Sequence, residues 1–296
     1  MIATNLTQKH KADLRVFGAI GFQDMWLRKH GYDKSSLFEL LAVNSVDDGI
    51  NIIGLTSEDD KMLPGFSEDR FGFLKTRIPS QYGVDETERG VIKVGRGGRD
   101  HHSLYIINCE TRHPNPEKEQ NWKGLKLHVI GGNMLPKQLD LKEAIKDAND
   151  RGYMTFLMGV SNEMAQELAD TVISSVTGVI SHDANNTFPD FIARHIPQIR
   201  GHSRAKNKLA IEYAESREKP SIAVSSAHYV HEIGIAGIEF QSREFSLQNL
   251  RTIIENRDFT NVKGHNKPWD VLRFGYLLGK HGSKPDRFKG TQSSYN

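Results

Sequence analysis

The chain has 296 residues, 37% of them apolar and 26% charged, the composition of a folded globular protein, which excludes disordered, collagen-like and coiled-coil classes. Its 39 Lys and Arg against 37 Asp and Glu leave a formal charge of +2. Bulk charge therefore announces neither a nucleic-acid nor a membrane surface, and any basic site has to be local.

No run approaches the ~18 consecutive apolar residues of a spanning helix, and residues 1–11 lack the apolar core of a secretory signal. The single cysteine, Cys109, cannot close a disulfide within the chain. The expectation is a cytoplasmic protein without membrane contact.

Residues 1–11 are read as a flexible segment ahead of one domain, 12–281. Seven short apolar, β-rich runs follow at residues 13–17, 50–55, 104–109, 125–130, 153–158, 178–181 and 221–225. They are nearly continuous in apolar residues, as strands covered on both faces require, and segments of helical period separate them. That alternation predicts parallel strands joined by crossover helices. A helix from the capping box Ser36-Leu37-Phe38-Glu39 up to Gly49, and helices at 139–149, 163–174, 205–216 and 247–256, supply the connections. The stretch at about 60–102 is far longer than an ordinary connection and reads as an insertion, with a small hairpin around Gly90 to Gly95. Residues 235–240 read as a further strand and 269–280 as an outer helix with Val271 and Leu272 facing inward. Residues 282–296 read as a disordered tail.

Parallel strands collect their chemistry at their carboxyl ends, because the loops that follow converge on one rim. Here those ends carry Thr56-Ser57-Glu58-Asp59, then Glu110-Thr111, then His182-Asp183, then Ser225-Ser226-Ala227-His228, and the fourth strand contains His128. Carboxylates and imidazoles on one rim are the donor set for Zn, Mn or Fe.

These residues resemble, in order, the motifs of the PHP (polymerase and histidinol phosphatase) family. The similarity runs from Asp13-Leu14-Arg15-Val16-Phe17 through Ile53-Gly54-Leu55-Thr56-Ser57-Glu58-Asp59, Ile107-Asn108-Cys109-Glu110 and Leu127-His128-Val129-Ile130-Gly131. It continues from Asn207 to Ala214 into Ser225-Ser226-Ala227-His228 with Glu232-Ile233-Gly234, spanning roughly residues 12 to 240. The resemblance implies an α/β fold of the distorted seven-stranded (β/α) barrel type. It also implies a rim that, in the family, holds up to three divalent metals and hydrolyses phosphoesters.

The departures from the pattern bear on function. Arg15 and Phe17 stand where the family has two metal-binding histidines, and Glu58 where it has another. Met158 with Gly159 falls where a His-Pro pair is usual, and Ser226 replaces the Asp of the last motif. Glu110, His128 and His228 remain at matching positions. Metals in this family polarise the phosphoryl group and lower the pKa of a bound water, so lost ligands remove the nucleophile itself.

Two readings follow. In the first, the chain is a degenerate, PHP-like pseudoenzyme that binds a phosphate-bearing small molecule or a nucleic acid through Arg15, Arg200, Arg204 and Lys206. Its rim is then held by a buried Arg–carboxylate pair such as Arg15 with Glu110. In the second it is a metal-dependent phosphoesterase, a hydrolase, with one ion, Zn, Mn or Fe, on Glu58, Glu110, His128 and His228, and with Glu110, His128 and His228 as catalytic residues. The first implies no metal and the second one ion at most.

Remaining motifs are weaker. Gly95-Arg96-Gly97-Gly98-Arg99 lacks the Lys-Ser/Thr of a P-loop and precedes a strand, so it reads as a hairpin tip. Residues 200–208 form the densest basic cluster, at a helix start. His182 and His231 are spare rim histidines. Cys109, beside Glu110 in an apolar strand, is a poor nucleophile.

Overall fold

The computed structural model describes residues 7–17, 49–58, 82–96, 103–113, 124–132, 139–195, 202–227, 232–269 and 271–272. Its elements, in chain order, are β1 (Gln8–Phe17), β2 (Ile52–Glu58), β3 (Tyr82–Glu88), β4 (Val91–Arg96), β5 (Leu104–Arg112), β6 (Lys126–Ile130), α1 (Leu141–Asp150), β7 (Met154–Met158) and α2 (Glu163–Asp170). There follow β8 (Gly178–Asp183), α3 (Asp190–His195), α4 (Arg204–Ser216), β9 (Ser221–Val224), β10 (Ala236–Ser242), α5 (Leu247–Asn256) and β11 (Phe259–Lys263). All seven strands read from the apolar runs are present, and residues 235–240 fall on β10. The helix expected from Ser36 and residues 97–102 of the Gly-Arg segment lie outside the described residues, as does most of the expected 269–280 helix. Val271, from its start, packs on Phe188 and Ala193.

The strands form one nearly closed sheet in the order β11-β10-β1-β2-β5-β6-β7-β8-β9. The expectation of a wholly parallel barrel is corrected here. The pairs β1–β2, β2–β5, β7–β8 and β8–β9 are parallel, whereas β5–β6 and β6–β7 are antiparallel. A strand covered on both faces is an apolar run whichever way it points, so direction leaves no trace in the pattern. The reversal has a consequence for the site. The first residue of β6, Lys126, lies beside Met158 at the end of β7 and so reaches the carboxyl rim.

Two long strands are shared. The first half of β5 pairs with β4, Leu104 against Val94 and Ile107 against Val91, while its second half pairs with β6. The β3–β4 hairpin, foreseen around Gly90, turns at Arg89 and Gly90 and is fastened to the barrel by β4. Likewise the first half of β1 pairs with β10, and near its end Val16 bridges Ala227 beyond β9. That bridge closes the barrel on its rim side. Lower on the seam, the Asn261 side chain on β11 accepts from the Ala223 N–H at 2.7 Å and donates to the Ser221 carbonyl at 2.9 Å. An amide side chain thus mimics a backbone partner for the edge of β9.

The core splits into an inner and an outer layer, as the pleat dictates. Leu14, Ile52, Ile107, Cys109, Ile130, Phe156, Ile180 and Val224 meet within the barrel. Leu127, Val129, Leu157 and Val179 pack outward on Leu141, Ala144, Ile145 and Ala148 of α1 and on Ala210, Tyr213 and Ala214 of α4. α1 starts at a reciprocal capping box, with Glu143 N–H donating to the Asp140 carboxylate at 2.8 Å and Asp140 N–H to the Glu143 carboxylate at 3.0 Å. No helix among the described residues is long and apolar enough to cross a membrane.

Candidate functional site at the carboxyl rim

The site begins with a bulge. Between the pairs Asp13–Ile53 and Val16–Leu55, β1 has two residues, Leu14 and Arg15, against one of β2, Gly54. A bulge re-aims side chains, and here it also turns the Leu14 carbonyl into the barrel. Gly54 makes the room: a Cβ there would lie 2.3 Å from the Leu14 oxygen and 2.8 Å from Cys109 Sγ.

The Leu14 carbonyl receives His128 Nε2 at 2.9 Å, and His128 Nδ1 lies 3.0 Å from the Thr111 hydroxyl. A carbonyl only accepts, so Nε2 carries the proton and Nδ1 accepts from Thr111. The fully buried His128 is therefore a neutral imidazole with both nitrogens engaged. Burial first, then the charge of Arg15, push its pKa down to about 3.

Arg15, only 4% exposed, gathers the strand ends. Its Nε donates to Thr111 on β5 at 3.3 Å, and its Nη1 to the Ser226 hydroxyl beyond β9 and to Asp183 Oδ2 at the end of β8, the last at 3.5 Å. The carboxylate paired with Arg15 is the partly exposed Asp183 rather than the Glu110 of the sequence reading. Glu110 is paired with Arg112 at 3.4 Å.

Asp13 anchors the same region from beneath. Its carboxylate accepts from the Ser225 amide at 3.2 Å, the Ser225 hydroxyl, the Gly234 amide at 2.9 Å and the Arg15 amide at 3.5 Å. Burial nonetheless raises its pKa to about 6, the hydrogen bonds opposing that shift. Asp13 ties β1 to the first residue of the last motif and to Gly234 beyond it.

The β8 end is fixed by α4. Asn207 accepts from the Asp183 N–H at 3.1 Å and donates to the Asp183 carbonyl at 3.1 Å and to His182 Nδ1 at 3.2 Å. His182 Nε2 donates to the Gly264 carbonyl at 2.7 Å, so His182, like His128, is a neutral structural imidazole, and burial lowers its pKa. The Asp183 carboxylate also accepts from the Asn185 amide at 2.9 Å.

Two further basic side chains, both half-buried, feel the charge of Asp183. His202 loses proton affinity chiefly to burial, with Asp183 opposing and the charges of Lys206 and Lys126 adding. Lys206 is lowered by burial first, again with Asp183 opposing and Lys126 adding.

The register separates Glu110 and His128, the two of the four expected ligands whose side chains are described. Thr111 lies opposite His128, and Glu110 opposite Val129. Directly opposed residues share a face and neighbours alternate, so Glu110 and His128 point to opposite faces of the sheet. Glu58 sits level with Thr111, but its side chain, His228 and Arg200 lie outside the described residues. Arg204 is exposed and its Nε donates to the Thr187 carbonyl at 2.7 Å, which fastens α4 to the preceding loop. Within the 200–208 cluster, the charge of Asp183 acts on both His202 and Lys206. Cys109 is buried in the barrel core. Thr111, Asn207 and His202 enter the sequence reading only as members of longer motifs, without a role of their own, and Lys126 does not enter it. The segment from Asn207 to Ala214 is part of the motif series, but nothing in a chain without register links it to β8.

A divalent ion needs lone pairs that are not already spent. His128 has none to give as it stands, Glu110 is held by Arg112 on the other face, and Arg15 puts a fixed positive charge at the centre of the rim. Among the described residues no group of three or more His, Cys, Asp or Glu side chains converges as a metal site. The described donors therefore do not fit a resident divalent ion.

A family model described as PHP-associated matches residues 204–258, from α4 through α5. No curated protein matches the chain. Among solved structures, PsfC from Pseudomonas syringae PB-5123 aligns over 93% of this chain and 99% of its own length, at 11% identity and a TM-score of 0.57. A two-domain protein from Bacteroides vulgatus containing a predicted PHP-like metal-dependent phosphoesterase aligns over 91% and 70%, at 13% identity and a TM-score of 0.48. The lesion-specific endonuclease PfuEndoQ from Pyrococcus furiosus aligns over 84% and 56%, at 11% identity and a TM-score of 0.47. The chain thus carries a PHP-associated segment, from α4 through α5, towards the end of a mixed α/β, nearly closed barrel-shaped sheet.

Proposed function

We propose that the chain binds a phosphate-bearing ligand at its carboxyl rim through fixed side-chain cations, and that it does not hydrolyse it. The observation that carries this reading is Arg15. It stands where the resemblance calls for a metal-binding histidine, and it bonds to groups from β5, β8 and the turn after β9. A tethered guanidinium there does the bridging that an ion would do, and it requires no free metal.

His128 supports the same reading. Its protonated Nε2 and accepting Nδ1 make it a strut between β1, β5 and β6, and a pKa near 3 removes it from acid–base work at neutral pH. Among the described residues no donor set converges to hold an ion that would lower the pKa of a water. What the described groups do is position β1 against β5, β8 and β9 and present positive charge.

The reading is tested by incubating the purified chain with an aryl phosphate in added Mn2+. No release of phosphate above the buffer rate is expected, together with saturable binding of inorganic phosphate. Turnover that disappears in a His228→Ala variant contradicts it and restores the one-ion phosphoesterase.

A further inference from the structure

Near the start of β1, away from the rim, lies a buried histidine that the rim does not use. His10 is 1% exposed and stacks on Phe240 of β10 with ring centroids 5.3 Å apart. It is tilted against Phe245, whose ring in turn lies 4.7 Å from that of Tyr105 on β5. His10 Nδ1 is 2.9 Å from Asn51 Nδ2, while the buried Nε2 has no hydrogen-bond partner.

Asn51 decides which ring nitrogen is protonated. Its Oδ1 accepts from the Lys11 amide at 2.9 Å, so the Nδ2 that faces the ring is a donor and Nδ1 accepts. His10 is therefore the neutral tautomer with its proton on Nε2. The same asparagine fastens the entry of β1 to β2, because the Asn51 amide also donates to the Lys11 carbonyl at 3.2 Å, just before Ala12 pairs with Ile52.

A second proton on this ring forces a choice. It places an N–H at Nδ1 against the Asn51 amide nitrogen, donor against donor. Turning the Asn51 amide over supplies an acceptor, but takes that oxygen away from the Lys11 amide. A bond from a charged imidazolium is the stronger of the two competitors.

The charged groups nearby do not answer that proton. Lys9, Lys11 and Glu239 alternate onto the other face of the β1–β10 ladder, where Lys9 and Glu239 pair at 2.7 Å. Arg243 and Glu244 are exposed, and the Glu88 carboxylate accepts from the Leu247 amide at 2.7 Å. On the aromatic side the titratable group among the described residues is the Tyr105 phenol. Burial lowers the His10 pKa, and the Ser242 carbonyl, outside hydrogen-bond geometry, opposes this. The ring is thus neutral at pH 7 and takes its proton only in acid.

We infer that His10 and Asn51 form an acid-operated latch at the start of β1. When His10 takes up a proton from solvent, Asn51 Oδ1 passes from the Lys11 N–H to the His10 Nδ1–H, and the start of β1 loosens from β2. The latch lies on the strand that carries Arg15, and it works without any ligand at the rim.

The test is NMR of the full chain, titrated from about pH 7.5 to about pH 5. The Lys11 amide and Asn51 side-chain resonances are expected to shift with one common midpoint, that of the His10 ring. Exchange of the Lys11 amide, corrected for its intrinsic pH dependence, is expected to rise by up to about tenfold per pH unit below that midpoint. His10→Phe keeps an aromatic ring on Phe240 and is expected to leave the Lys11 amide equally protected at both ends of the range. Circular dichroism reports whether that variant is folded, and the measurements on the unaltered chain decide without it. A His10 ring that stays neutral throughout the range overturns the latch. So does a Lys11 amide whose protection ignores the His10 titration, or the same pH response in folded His10→Phe.

Discussion

The guanidinium of Arg15 and the imidazole of His128 share one hydroxyl, that of Thr111. It accepts from Arg15 Nε at 3.3 Å and donates to His128 Nδ1 at 3.0 Å. The direction of this relay is forced from its far end, because the Leu14 carbonyl can only accept from Nε2. A charge on β1 and a neutral ring on β6 are thereby locked to each other through β5.

Removing that hydroxyl while keeping its volume tests the relay. Thr111→Val leaves two buried polar atoms without this partner, and unsatisfied buried groups cost about 1–3 kcal/mol each. An unfolding free energy lowered by that order is expected in denaturant titration, with Thr111→Ser close to the unaltered chain. A valine variant as stable as the original would show that the relay contributes nothing.

Acid should destabilise the fold through the same imidazole. His128 titrates near 3 when folded, against an ordinary 6.5. Below 6.5 the unfolded chain takes up a proton that the folded one refuses. Stability present above that pH is then lost as pH falls toward 3, by up to about 5 kcal/mol at 1.36 kcal/mol per pH unit. Asp13 works in the opposite sense. Its folded pKa of about 6 exceeds the ordinary 3.8, so acidification from 6 to 3.8 returns about 3 kcal/mol. In urea titrations across this range His128→Gln should flatten the acid loss and Asp13→Asn should steepen it. The same slope in both variants contradicts the assignment.

Gly54 is required by the bulge rather than by a turn. In Gly54→Ala the new methyl meets the Leu14 carbonyl at 2.3 Å and Cys109 Sγ at 2.8 Å. Overpacking of this kind costs about 1–3 kcal/mol. The backbone oxygen is the harder obstacle, so the double variant Gly54→Ala, Cys109→Ala should regain little of the lost thermal stability. Full recovery would mean that the sulfur, and not the Leu14 carbonyl that holds His128, sets the fit.

Much of this architecture is legible in the amino-acid order. Continuous apolar runs mark the barrel strands because both faces of the sheet are covered, and residues 247–256 match α5 because Ser246 caps it and its apolar positions keep the helical period. What is not legible is relational. Strand direction is invisible in a two-sided strand, so the reversal of β6 was unforeseen. Glu110 and His128 both fall at motif positions, yet one residue of register sets them on opposite faces. Phe259 to Lys263 alternates weakly and half-exposed, which is why β11 and the Asn261 contacts that seal β9 gave no signal. Arg15 was visible as a departure, but its partner Asp183 lies 168 residues away and only the closed barrel brings the two together.

On the proposed reading, fixed side chains rather than bound ions supply the positive charge of the rim. Titrating inorganic phosphate into the chelator-treated chain, with and without added Mn2+, measures this directly. The same affinity is expected in both titrations, falling as salt rises. Phosphate binding that occurs only with Mn2+ present would contradict it.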